Sequence, residues 1–197
     1  MATEIPNILE VKNNVIRVEL PYWEGAPETY LTTSVAATGT TLTVKDNANF
    51  AENDYVRLGA IGGQQSEIKR ITAAVTPGTS LTVAACTFAH PNNTLVALSR
   101  YDQVELYGSA TATDVAPTLI GSAVNLNVRS GYTEIKAGTT YAYYYARFKN
   151  SSAGTYSEYS AAVAAAGLSN ASRGQIKKEF LLMYNEKLDD IVTDEWL

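Results

Sequence analysis

The sequence predicts a mainly β protein: a small β-barrel, a second module of longer strands, and one α-helix at the C-terminal end. Three observations carry that prediction. Short runs of alternating apolar and polar residues, bounded by Gly, Pro, Asn and Asp, fill residues 8–160. Within them a Thr-rich segment occurs twice, as Gly39-Thr40-Thr41-Leu42-Thr43-Val44 and as Gly78-Thr79-Ser80-Leu81-Thr82-Val83. Only residues 175–197 show a sustained three- and four-residue spacing of apolar positions.

The 197 residues are enough for one large or two small domains with a real core. An apolar content of 46% against 18% charge fits a folded chain and excludes a disordered one. The formal charge of −5, with no Lys/Arg cluster, argues against nucleic acid as a sequence-specific partner. No apolar run approaches the roughly eighteen residues of a membrane span. The start, Met1-Ala2-Thr3-Glu4-Ile5-Pro6, lacks the basic and apolar blocks of a secretion signal, so synthesis in a cytosol is expected. Cys86 is the sole cysteine, which excludes an internal disulfide and a thiolate metal site; its neighbours Val83-Ala84-Ala85 make it a small buried hydrophobe.

In order, residues 1–27 hold two strands, Ile8-Leu9-Glu10-Val11 and the alternating Val15-Ile16-Arg17-Val18-Glu19-Leu20, around a turn at Asn13-Asn14. Residues 21–27, with two prolines and Gly25, read as a linker. Residues 28–100 are the expected barrel. Each copy of the repeat is a tight turn, a Thr-rich strand, a loop with an aromatic anchor (Phe50 or Phe88) and a second strand, Tyr55-Val56-Arg57-Leu58 or Leu95-Val96-Ala97-Leu98. One more strand, from Ser66 to Thr72, lies between the copies. Such short strands favour a small, strongly bent barrel.

Residues 101–165 carry longer strands: Val104-Glu105-Leu106-Tyr107, residues 118–128 and residues 139–150. The last runs Gly138-Thr139-Thr140-Tyr141-Ala142-Tyr143-Tyr144-Tyr145-Ala146-Arg147-Phe148-Lys149-Asn150, turns at residues 151–154, and meets a hairpin partner at residues 156–160. Gly-Thr-Thr-Tyr, an alternating strand ending in Asn, a Gly-containing turn and Ser-Glu-Tyr-Ser together resemble the last two strands of a fibronectin type III sandwich. The resemblance implies a β-sandwich in which Tyr141 packs at a corner and fixes the strand's entry. Residues 101–165 are too few for a whole sandwich of that family, and the strands at residues 8–22 would complete it, making the barrel an insertion.

Residues 166–197 are a connector and a terminal helix. Ser172-Arg173-Gly174-Gln175 has the form of a capping box. Beyond it Ile176, Phe180, Met183, Tyr184, Leu188 and Ile191 share a face that Leu181 widens, and Trp196 follows. Lys177 and Lys178 sit in the first turn while Asp189, Asp190, Asp194 and Glu195 crowd the far end, opposite to what the helix dipole favours. Such a helix needs packing to hold it, against its own domain or in a groove on another subunit; in the second case Ile176, Phe180, Leu181, Met183, Tyr184, Leu188, Ile191 and Trp196 are the partner-binding residues.

Catalytic chemistry finds little support. His90 is the sole histidine and precedes Pro91-Asn92-Asn93, a structural setting without a second histidine or cysteine. Asp189-Asp190 and Asp194-Glu195 are adjacent helical positions that point different ways, so neither is an acid/base couple. Gly59-Ala60-Ile61-Gly62-Gly63 lacks the lysine of a P-loop and reads as a turn. No catalytic residue, cofactor or metal site is expected. Binding is better supported: thirteen tyrosines against four phenylalanines suit half-wet surfaces, and Tyr143, Tyr145 and Tyr156 are candidates for a glycan platform on a capsid, tail or cell surface.

Two passages resemble structural proteins of tailed bacteriophages. Leu42-Thr43-Val44 through Phe50, Asp54-Tyr55-Val56, Glu67-Ile68 and His90-Pro91 are similar to a barrel module of virion proteins. Residues 177–197 resemble the opening of a helical connector domain at the head–tail junction. The resemblance implies a virion protein assembled in the host cytoplasm and placed in the neck. It also implies homo-oligomers docked to portal, capsid or tail subunits, with no role for a membrane.

Overall fold

The computed structural model describes residues 5–21 and 25–165; the expected terminal helix and its partner-binding residues lie outside them. The described residues are mainly β, in several sheets, none of them closed. The first hairpin is dictated by its turn. β1 (Ile8–Lys12) and β2 (Val15–Glu19) are joined by Asn13 and Asn14, with φ of 52° and 61°. Two consecutive left-handed residues are what a two-residue type I′ hairpin requires, and asparagine enters that region at low cost. Alternation along β2 then buries Ile16 and Val18 completely and turns Arg17 outward, where it pairs with Glu10 and Glu134 at 2.9 and 2.8 Å.

The chain next builds β3 (Glu28–Tyr30), β4 (Thr41–Thr43), β5 (Tyr55–Leu58), β6 (Glu67–Arg70), β7 (Ser80–Thr82) and β8 (Leu95–Ser99). These form a four-stranded sheet in the order β3-β8-β5-β6 and a two-stranded ribbon of β4 and β7. The two repeat copies pair with each other. Leu42 lies opposite Leu81 in the ribbon, and β5 lies beside β8 in the sheet. Exchanging β3, β4 and β5 for β6, β7 and β8 maps the ribbon onto itself and the sheet onto its own reversed order, so the sequence repeat is a structural pseudo-twofold. Matching backbone bonds run from Thr32 to Thr43 (2.8 Å) and from Thr72 to Thr82 (2.9 Å).

The closed barrel expected from the sequence is not formed. Sheet and ribbon meet only at single bridges, Leu31 with Val44 and Ile71 with Val83. The reason is strand length: β4 and β7 are three residues each, so beyond their mutual pairing they offer the sheet little more than the Thr43 and Thr82 carbonyls. The space between sheet and ribbon is still filled, by Leu31, Leu42, Val44, Val56, Leu58, Ile71, Leu81, Val83 and Val96, all fully or almost fully buried. Cys86 belongs to this core.

The remaining strands are β9 (Gln103–Ser109), β10 (Thr118–Asn125), β11 (Tyr132–Lys136), β12 (Tyr143–Asn150), β13 (Thr155–Tyr156) and β14 (Val163–Ala164). β11 pairs with β2, giving the sheet β1-β2-β11; β10, β9, β12 and β13 form the other sheet, with β14 also on β12. One core lies between these sheets: Ile8, Val11, Ile16, Val18 and Ile135 from the first, Val104, Leu106, Tyr144, Ala146 and Phe148 from the second. The chain therefore leaves this sheet pair after β2 and re-enters it at β9.

β12 is paired on one side by all of β9 but on the other only at its ends. The hairpin partner expected at residues 156–160 is correspondingly short. Between β13 and β14 two serines replace a ladder. Ser157 and Ser160 donate their amides to the carbonyls of Phe148 and Ala146 at 3.0 and 2.8 Å. Their hydroxyls accept the amides of the same two residues at 2.9 Å each. Both β12 amides are thus satisfied without a continuous strand.

Both halves belong to one unit, Met1–Ala165, and polar bonds tie them. The Tyr55 hydroxyl lies 2.9 and 2.8 Å from those of Ser151 and Ser152. The buried Asn150 side chain donates to the carbonyls of Arg100 (2.9 Å) and Asn53 (3.3 Å) and accepts the amides of Ser152 and Ala153.

Candidate functional site

The three tyrosines of the expected platform do not share an exposed surface. Tyr145 is buried at 5% exposure; its hydroxyl donates to the Thr111 carbonyl at 3.0 Å and accepts the Asp114 amide. Tyr143 is half-buried, and only Tyr156 is exposed, at 41%. Alternation places Tyr143 and Tyr145 on the outer face of β12, opposite the fully buried Tyr144. Tyr141 precedes the strand and joins the core side, edge-to-face with Tyr144 at 6.4 Å. Its ring covers Gly108 so closely that a Cβ there would lie 2.3 Å from ring carbons.

The outer face of β9 and β12 is organised by a residue that no sequence pattern marks. Glu105 is a buried carboxylate in the middle of an apolar strand. It accepts the Tyr107 hydroxyl and is paired with Lys149 at 3.0 Å and Arg147 at 3.3 Å. Burial raises a carboxyl's pKa, but here the hydrogen bonds of Tyr107 and Lys149 and the charges of Lys149 and Arg147 outweigh it, and Glu105 titrates below its ordinary value. The Tyr107 phenol is pushed up, by burial first and then by Glu105. The Arg147 guanidinium stacks on Tyr156 at 3.8 Å from the ring centre and also lies 4.9 and 5.2 Å from Tyr107 and Tyr159. Arg147 and Lys149 both pair with Glu105, so the carboxylate holds this layer together.

A second buried carboxylate accounts for His90. Glu67, on β6, accepts the amides of Thr87 (2.9 Å) and Phe88 (3.3 Å), meets His90 Nε2 at 2.9 Å and pairs with Lys69 at 2.9 Å. His90 is 3% exposed. Burial opposes ionisation of Glu67, yet His90, Lys69 and the Thr87 amide prevail and hold its pKa at about 2. The pair fastens the 86–90 loop to the sheet, which is a structural role for the histidine. The loop's Phe88 in turn lies under Arg129 of the β10–β11 connection, 5.6 Å from its ring centre.

Gly59 and Gly62 take φ of 89° and 85° in the β5–β6 turn, and the Ser66 hydroxyl bonds the Ala60 carbonyl across it. The Gly62 amide donates to the Val128 carbonyl at 2.8 Å, so the glycine run is a turn pinned to a neighbouring loop. Among the described residues no three His, Cys, Asp or Glu side chains are grouped to hold a metal ion. No described helix is long and apolar enough to cross a membrane. No protein-family model, curated protein or solved structure matches the chain.

Proposed function

We propose that this chain is a structural assembly protein of a tailed phage particle, placed at the head–tail junction and acting by docking to its neighbours without catalysis. The fold reading that goes with it is a fibronectin III-like sandwich. Its two sheets are β1-β2-β11 and β10-β9-β12-β13, Tyr141 packs at the corner before β12, and the pseudo-twofold module is inserted between β2 and β9. The observation that carries the functional reading is the state of the buried charges. Glu67 and Glu105 are saturated by donors from their own module, and the two modules are tied through Tyr55 and Asn150, which supports a body that acts by its shape.

Docking falls to residues 174–197, through Phe180, Leu181, Met183, Leu188, Ile191 and Trp196. At about 25 cal/mol per Å², burying a few of these in a groove on an adjacent subunit contributes several kcal/mol before the costs of association. Ring symmetry multiplies the effect by avidity. Deleting residues 174–197 is expected to leave a folded β protein, by circular dichroism and thermal melting, that no longer co-assembles with portal, capsid or tail subunits. Assembly retained by the truncated chain contradicts the reading.

A further inference from the structure

We propose that the hollow on the outer face of the four-stranded sheet β3-β8-β5-β6 binds a small monocarboxylate with an apolar body, and that Arg57 holds its carboxylate. The site does not depend on the chain's place in a particle. Its volume is about 280 Å³, close to the ~300 Å³ lower limit of small-molecule sites, which suits one small acid and not an oligomer.

The strand register builds the floor. Val56 and Leu58 of β5 belong to the core beneath the β4–β7 ribbon, so alternation turns Arg57 to the other face of the sheet. There Glu28, Ala97, Arg57 and Ile68 stand in one row across the four strands, and all four line the hollow. Ala97 is the reason that a hollow exists. Its methyl group leaves unfilled the space between Glu28 and Arg57, which lie two strands and so about 10 Å apart. Leu20, Ile61 and Val128 add apolar walls. Those walls are set before any ligand arrives: the Gly62 amide donates to the Val128 carbonyl and the Leu98 amide to the Pro27 carbonyl, both at 2.8 Å.

The chemistry of the hollow is set by its one cation. Arg57 is half-buried, whereas Glu28 is exposed. Among the described residues the guanidinium makes a single hydrogen bond, from Nη1 to the Gly59 carbonyl, and no ion pair. That bond fixes the group and leaves its Nε–Nη2 edge, two parallel donors that match the two oxygens of a carboxylate. Burial pulls the Arg57 pKa below its ordinary value, and the charge of Glu28 restores only part of it. A half-buried cation among apolar walls, with no counterion in contact, is completed by an anion, and the walls receive that anion's apolar body. A phosphate fits less well, because its second charge would lie near Glu28 and no second cation lines the hollow among the described residues.

The test is calorimetry and saturation-transfer NMR on the full chain with benzoate, phenylacetate, hexanoate and indole-3-acetate, each against its neutral amide, up to about 10 mM. At least one acid is expected to bind, about tenfold or more tighter than its amide. Arg57→Met, which keeps an apolar stem on the sheet, should weaken that acid about tenfold or more. Glu28→Gln, which removes the competing carboxylate, should instead tighten it about threefold. Lys136→Met, at an exposed cation on β11, should leave binding as it is. No binding by any acid, equal binding of acid and amide, or binding that survives Arg57→Met in a protein that still melts normally overturns the proposal. Should Arg57→Met fail to fold, binding that is unchanged or weaker in Glu28→Gln overturns it.

Discussion

Glu67 shows how one side chain in this protein does the work of several. Its two oxygens close the 86–90 loop, hold His90 and neutralise Lys69. Its pKa of about 2 lies below the unfolded value. A carboxyl depressed by folding stabilises the fold above its unfolded pKa, and that stabilisation is lost as pH falls toward the folded one. Glu67→Gln is therefore expected to cost roughly 3 kcal/mol near neutrality, and the gap to the natural protein should narrow as pH is lowered from about 4.5 to about 2. Urea unfolding across that range measures it; a gap that stays constant contradicts the network. Asn47 acts at the same scale without charge, since each of its side-chain bonds goes to a backbone group at the start of the second repeat copy. Asn47→Ala leaves those groups unpaired and should cost about 2–4 kcal/mol by the same assay. Neither residue was legible in the sequence, where a lone Glu or Asn beside a turn carries no sign of its distant partner.

At the scale of elements, segments that repeat or alternate could be read, and brief or irregular ones could not. The β1–β2 hairpin was legible because Asn13-Asn14 sits between alternating runs, and β12 because a tyrosine run passes into the alternating Ala146-Arg147-Phe148-Lys149. β3 went unread, since Glu28-Thr29-Tyr30 is too short to show a period. β11 carries a usable signal, Tyr132 to Lys136 alternating between Gly131 and Gly138. The partner of β12 is shorter than residues 156–160 suggest, because the Ser157 and Ser160 hydroxyls take the place of ladder acceptors. The corner before β12 gives a test of packing at this scale. Gly108→Ala drives a methyl group into the Tyr141 ring and should destabilise by about 1–3 kcal/mol. Adding Tyr141→Ala should recover part of that loss, so the double variant costs less than the sum of the singles. Strict additivity would show that ring and glycine do not meet.

Over the whole molecule, the repeat in residues 39–44 and 78–83 turns out to mean mutual pairing of two halves and not a chain of repeats. The sequence contains the similarity but not the choice of partner, because Leu42 faces Leu81 only once both strands are in place. The same limit applies to the barrel: its strands were readable, its failure to close was not, since closure depends on how many ladder groups three-residue strands have left to offer. The two buried carboxylates of this β body, Glu67 and Glu105, are occupied internally, and the proposed action by shape and adhesion rests on that. The most direct measurement is native mass spectrometry with electron microscopy of the full chain, alone and mixed with portal, capsid and tail subunits. The expected result is a closed ring at an integer multiple of 21.2 kDa that is incorporated into a larger particle. A lone 21.2 kDa species under every one of those conditions would contradict the account.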